Sequence, residues 1–147
     1  MNQFEINLGH LLNKAARLNK WELNKRLVEL DLTLPQFIVL KDINFQEQRA
    51  RDVENLTAAS IAQRLHIERP TISGVIARLM KKDLVYRVEN PEDRRSQLIR
   101  LTEKAKALMV ELEVICSDTT NRAVKDFSEA EINNLKAYLL RIISNLS

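Results

Sequence analysis

The chain has one cysteine, two glycines, three prolines, two histidines and 5% aromatic residues in 147 positions. Each shortage closes off a class of protein. A lone Cys116 cannot form an intrachain disulfide, so the chain is no disulfide-stapled scaffold, and the composition suits a reducing compartment. His10 and His66 do not stand with cysteine or acids at ligand spacing, so a metal centre is not expected. No Gly-rich phosphate loop and no nucleophile–base grouping can be found, and neither a cofactor nor enzymatic activity is expected. No apolar run approaches the ~20 residues that span a bilayer. The stretch from Met1 to Trp21 lacks the basic start, unbroken apolar core and small-residue cleavage site of a signal peptide. A cytoplasmic location without a membrane partner is the expectation.

The same shortages favour helix, because Gly and Pro break helices while the abundant Leu, Ile, Ala, Glu, Lys and Arg propagate them. Apolar residues recur at helical spacing from about Gln3 to Leu30. A second helix is predicted after Thr33, where Thr33 and Gln36 form a T-x-x-Q capping box and Pro35 sits in the first turn. Its buried stripe is Phe37, Ile38, Leu40 and Ile43. The polar stretch from Asn44 to Asn55 is long for a loop, which leaves room for this helix to run on into it.

Two short helices come next. Thr57 caps the first, which ends near His66, and Pro70 begins the second as its first residue. Ile72, Val75, Ile76, Leu79 and Met80 form the inner face of that second helix. Thr71, Ser73, Gly74, Ala77, Arg78 and Lys81 lie on its other side. This is a helix-turn-helix pattern. The period then changes to two β-rich runs, "LVYRVEN" and "SQLIRL", around the turn "NPEDRRS". Thr102 and Glu103 open a long helix with Leu108, Met109, Leu112, Ile115 and Cys116 on its apolar side. Ser128 and Glu131 form a second capping box before a last helix striped by Ile132, Leu135, Leu139, Ile142, Ile143 and Leu146. The predicted fold is mainly α with a small β-hairpin. It is a winged helix-turn-helix over residues 33–102, flanked by dimerisation helices at 1–32 and 103–147. The end segments carry apolar faces too broad for a small domain to bury, and a second copy of the chain would cover them.

Charge is distributed unevenly. The net formal charge is +3, but residues Arg64 to Lys106 hold 11 Lys/Arg against 6 Asp/Glu. A basic middle is the footprint of a segment that meets polyanions, although a solvated charged face would have the same composition. A recognition helix fits the major groove, so its outward face should be polar, small or basic. Pro70, Thr71, Ser73, Gly74, Ala77, Arg78 and Lys81 supply such a face. A wing near the narrow minor groove should carry arginine, and Arg94 and Arg95 stand at the turn. Asp93 beside them is expected to orient one guanidinium by a charge-assisted hydrogen bond. Thr57, Arg69 and Arg87 are candidates for supporting contacts to the DNA backbone. Trp21 and Phe45 are candidates for an effector cleft, with core packing the simpler expectation for both. Cys116 is expected to be a buried spectator thiol.

These stretches resemble the MarR family of bacterial winged-helix regulators, in the style of its SlyA-like branch. The resemblance rests on "LTLPQFIVL", "IAQRLHIERPTISGVIARLMKKDLV", "NPEDRRS" and "LIRLTEKAKAL", in that order. It implies an obligate homodimer on double-stranded DNA at a pseudo-palindromic operator, most simply a repressor released by a small phenolic or anionic effector. It also implies that Asp93 and Arg95 matter most in the wing. Asn90 stands where the family usually has Asp. His66 and Asp83 stand where it often has Gly, at positions that can require positive φ. A winged helix can also serve as a protein–protein docking module without specific DNA, and fold alone does not choose between the two.

Overall fold

A computed structural model describes residues 7–49 and 56–147. Six helices and one hairpin follow in order: α1 (Leu8–Glu29), α2 (Leu34–Arg49), α3 (Ala58–Leu65), α4 (Arg69–Lys81), β1 (Val85–Glu89), β2 (Gln97–Leu101), α5 (Glu103–Ala123) and α6 (Glu129–Leu146). This is the mainly helical winged-helix architecture expected from the residue pattern. The expected start of α1 at Gln3 and the end of the polar stretch, 50–55, lie outside the described residues. Through Arg49, α2 does run on into that stretch. No described helix is long and apolar enough to cross a membrane.

The capping residues read from the sequence act as caps. The Thr33 backbone N–H donates to Gln36 Oε1 at 3.1 Å, and the Gln36 N–H donates to Thr33 Oγ1 at 3.4 Å. Thr57 caps α3 through the Ser60 N–H, and Thr102 caps α5 through the Ala105 N–H. Ser128 and Glu131 form the reciprocal box at α6, and the Ser128 N–H and hydroxyl hold the Glu131 carboxyl below its ordinary value. One boundary differs: α4 begins at Arg69, so Pro70 is its second residue, still within the turn whose N–H groups lack helical partners.

Helix ends here do without glycine. Asp31, His66, Asp83 and Asp126 all have φ between 52° and 67°. At His66 the chain folds back so that the Ile67 N–H reaches the Ala62 carbonyl at 3.1 Å. The Leu84 N–H likewise reaches the Leu79 carbonyl at 3.0 Å. Such left-handed ends satisfy orphan carbonyls. A side chain there costs about 1 kcal/mol, a cost that Asp reduces with local hydrogen bonding.

One continuous core joins the elements. Leu27 and Leu32 from the first helix and its turn meet Val39, Leu40 and Ile43 of α2. Ile61, Ile72, Ile76 and Leu79 of the helix pair, Leu98 and Leu101 of β2, and Ala105, Met109 and Leu112 of α5 complete it. Met80 departs from its expected place on the inner face of α4: it is exposed, because its position on the helix lies at the edge of the buried stripe. A part-buried ion pair reinforces the core, with Arg64 of α3 gripping both oxygens of Asp42 on α2, at 3.0 and 2.6 Å. Its two donor–acceptor bonds are charge-assisted and bidentate, the stronger kind. Asp42→Ala leaves Arg64 half-buried without this partner. It should lower unfolding free energy by about 1.5–3 kcal/mol, read from urea denaturation at fixed protein concentration.

Candidate nucleic-acid interface

The interface is built from α3, α4 and the hairpin. The strands pair antiparallel, with Val85 opposite Leu101 and Glu89 opposite Gln97. The exposed outer positions of β1 include Tyr86 and Arg87, while β2 buries Leu98, Ile99 and Leu101. The difference follows from the packing: β2 is covered by α2, α3 and α5, whereas β1 meets α4 and β2. An isolated bridge between Thr57 and Leu98 ties the outer edge of β2 to the start of α3.

The turn from Asn90 to Ser96 is organised around one buried amide. Asn90 is 3% exposed at the base of an otherwise exposed tip. Its Nδ2 donates to Ser96 Oγ at 2.9 Å, and its Oδ1 accepts from the Glu92 N–H at 3.0 Å. Its own N–H donates to the Ser96 carbonyl at 3.3 Å. Asp93 acts differently from the expectation. Its carboxylate accepts from the backbone N–H of Arg95 at 3.0 Å, an Asx turn, and not from a guanidinium. A short side chain reaches the amide two residues on more easily than it reaches the end of a long, solvated arginine. The Arg94 guanidinium instead stands 3.7 Å from Glu89 Oε1, with both side chains largely exposed. Asp93 therefore shapes the backbone from which Arg95 projects.

A concave surface of about 610 Å³ lies between the helix pair and the turn. It brings together Thr57, Arg69, Ser73, Arg87, Asp93, Arg94 and Arg95, residues spread over 39 sequence positions. Pro70, Thr71, Ala77 and Arg78 lie outside this hollow on the exposed face of α4, with Gly74 half-buried among them. Lys81 is separated from them at the far end of α4, where it borders another hollow beside Asp31, Lys82 and Lys104. Gly74 has room for a methyl group: the nearest atoms to an added Cβ are the Arg78 guanidinium nitrogens, at 3.7 and 3.8 Å. Among the described residues, nothing in the chain itself demands glycine there. Ser96 and Gln97 also line the hollow. Sequence reasoning passes over them, since a serine in a polar turn gives no distinct signal. The outward phase of β2 is the one cue for Gln97.

The two aromatic candidates part company. Phe45 borders a cleft of about 370 Å³ between α2 and α5, with Phe37, Lys41, Met109 and Cys116. Trp21 is on α1, away from that cleft, with the Lys25 ammonium 3.3 Å from its ring centroid. Both rings are at least half exposed in the single chain, so neither packs in the chain's own core as expected. Cys116 is half-buried in the cleft wall, and burial pushes its thiol pKa up. Among the described residues, no group of three or more His, Cys, Asp or Glu is placed to hold a metal ion.

The Asn90 geometry is directly testable. Asn90→Ala removes two side-chain bonds at a buried position and should destabilise the turn by about 1–3 kcal/mol. Faster amide exchange at Glu92 and Ser96 would report it. Asn90→Asp keeps the acceptor for the Glu92 N–H, and the Ser96 hydroxyl can donate to it only by leaving the Asp93 carbonyl it now bonds at 3.1 Å, so its exchange rates should fall between those of the parent and Asn90→Ala.

Comparison with known proteins places this arrangement. The model of the MarR family matches residues 32–97, which span α2, the helix pair, β1 and the wing turn up to the first residue of β2. A MepR–DNA complex from S. aureus is 26% identical with a TM-score of 0.82, covering 97% of this chain and 99% of that one. The transcriptional regulator PA3341 is 33% identical with a TM-score of 0.78, covering 94% and 96%. CouR from Rhodococcus jostii, in a structure bound to p-coumaroyl-CoA, shares the fold at 22% identity and a TM-score of 0.79, covering 97% and 95%. With the winged-helix geometry, the family match and 33% identity to a regulator aligned over nearly the whole of both chains, the chain belongs to the MarR family of transcriptional regulators.

Proposed function

We propose that the chain is a dimeric, sequence-specific DNA-binding regulator acting in the cytoplasm. In this reading it is a repressor that leaves a pseudo-palindromic operator when a small phenolic or anionic effector binds. The observation that carries the reading is the hollow between α4 and the wing, where Arg69, Arg87, Arg94 and Arg95 share one surface with Thr57 and Ser73. Four guanidiniums around two hydroxyl-bearing helix positions suit a phosphate backbone entering a groove. Residues 33–102 form the DNA-binding unit. Thr71, Ser73 and Arg78 face base edges in the major groove, with Pro70 and Ala77 in apolar contact and Gly74 admitting close approach. Lys81 and Arg94 hold phosphates, and Arg95 enters the minor groove. The "NPEDRRS" wing supports placement in the SlyA-like branch.

Residues 1–32 and 103–147 form the dimerising unit. None of the α6 side chains is buried within its own chain, and Leu135, Tyr138, Leu139, Leu140 and Ile143 are exposed along it. Apolar surface left in water forgoes about 25 cal/mol per Å², so a helix of this composition calls for a partner, and a second copy supplies a symmetric one. The α2–α5 cleft suits the effector: Phe37, Phe45 and Met109 give apolar walls for an aromatic ring, and Lys41 and Glu113 give one cationic and one anionic group for its polar substituents. Trp21 has no part in that cleft.

Fluorescence anisotropy of the full chain with DNA from upstream of its own gene, across a salt series, tests the reading. Specific binding with a steep salt dependence is expected. Arg95→Ala should weaken operator binding by about 1–3 kcal/mol while the mass of the dimer in solution is unchanged. Equal affinity in that variant would remove the wing from the interface. Gly74→Ala separates folding from recognition. It should raise unfolding free energy by about 0.5–1 kcal/mol, because alanine loses less backbone entropy in a helix, yet weaken operator binding through the added methyl.

A further inference from the structure

The outer edge of β2 is held at a second point, by a residue of α2. The Thr102 N–H bonds back to the Leu84 carbonyl at 3.1 Å, on the β1 side of the strand. Alternation along an antiparallel strand then turns the Leu101 N–H to the outer edge. There it donates to Glu47 Oε1 at 3.2 Å. The Glu47 side chain is 14% exposed, and the same oxygen stands 3.9 Å from Arg100 Nη1. Lys106, whose ammonium donates to Glu103 at 2.8 Å, lines the same hollow as Glu47. A half-buried carboxylate thus replaces the missing neighbour strand at the root of the wing.

We propose that Glu47 is a positioning residue that latches the wing to α2 and so sets where Arg94 and Arg95 stand. A hairpin of two five-residue strands is marginal by itself and takes its orientation from what it packs on. Along β2, the Thr57 bridge fixes Leu98, and Glu47 fixes Leu101, three residues nearer the root. With both points held, the outer edge cannot pivot about either. The latch also abuts the α2–α5 cleft. Asn44, Gln48, Met109 and Glu113 line both that cleft and the hollow beside Glu47. A molecule that shifts α2 against α5 therefore moves the carboxylate that holds the wing, which gives the cleft a mechanical route to the arginines. The consequence for DNA affinity rests on the regulator reading above; the latch itself does not.

Two conservative variants separate the latch from simple electrostatics. Glu47→Gln keeps the reach and the acceptor oxygen but removes the charge. Glu47→Asp keeps the charge but shortens the side chain by one methylene. Electrostatics alone predicts tighter DNA binding for the first, since an acid is lost, and no change for the second. The latch predicts parent-like behaviour in Glu47→Gln. For Glu47→Asp it predicts amide exchange at Leu101 faster by about tenfold and operator affinity weaker by about tenfold, with an unchanged salt slope because no phosphate contact is lost. Unaltered Leu101 exchange in Glu47→Asp would overturn the latch. Faster exchange with unaltered affinity, in a protein that Arg95→Ala does weaken, would overturn its positioning role. Should the parent protein bind no operator, the regulator reading fails, and Leu101 exchange alone decides the latch.

Discussion

A hairpin of two short strands does not hold its own shape, and the geometry of the candidate interface depends on what holds it. The strands bury Leu98, Ile99 and Leu101 against α2, α3 and α5, which supplies the attraction. Hydrophobic burial is non-directional, so it brings the hairpin to the core without aiming it. The aim comes from a few directional bonds. Thr102 donates both to the Leu84 carbonyl through its N–H and to the Asp83 carbonyl through its hydroxyl, at 2.8 Å. Thr57 bridges Leu98, Glu47 takes the Leu101 N–H, and Asn90 closes the turn. Arg87, Arg94 and Arg95 then project from a frame whose backbone is pinned at its root, edge and tip, facing Arg69 of α4 across the hollow.

The same division of labour runs through the helices. Apolar stripes decide that α2, α3 and α4 pack together, and polar contacts set their register. Arg64 and Asp42 tie α3 to α2. The Lys82 ammonium reaches the Asp31 carbonyl, the Asp31 carboxylate at 3.2 Å and Gln36 Oε1 at 3.3 Å, which ties the end of α4 to the α1–α2 turn. The Lys104 ammonium in turn donates to the Lys82 carbonyl at 2.9 Å. Aspartates and a histidine, not glycines, take the left-handed positions at the helix ends. The strain at each is small beside the core that imposes it.

Much of this was legible in the residues. Capping pairs such as Thr33 with Gln36 and Ser128 with Glu131 are local, three residues apart, so their chemistry is written in order along the chain. The shift from helical to alternating periodicity at Leu84 and the polar turn after Glu89 marked the hairpin for the same reason. Asp93 is legible as a hydrogen-bond acceptor in the wing, but its partner is the Arg95 backbone N–H and not the guanidinium expected, because a carboxylate near two arginines offers several acceptor geometries and only the folded turn selects among them. Met80, Trp21 and Phe45 read as candidates for burial by type and spacing, yet whether such a residue is covered depends on which neighbour arrives over it. Glu47 was not legible at all: it lies 54 positions from the amide it satisfies.

The sequence by itself determined the elements, their caps and the concentration of basic residues between Arg64 and Lys106, since each follows from spacing and charge within a short window. Only the tertiary structure decided that Thr57, Arg69, Ser73, Arg87, Arg94 and Arg95 share one hollow, that Trp21 and Phe45 do not share a cleft, and that a carboxylate on α2 ends at the root of the wing. Those facts concern distances between segments far apart in the chain. Such distances are set by how apolar faces pack together and by which buried polar groups must find partners once they have, and no local pattern encodes them.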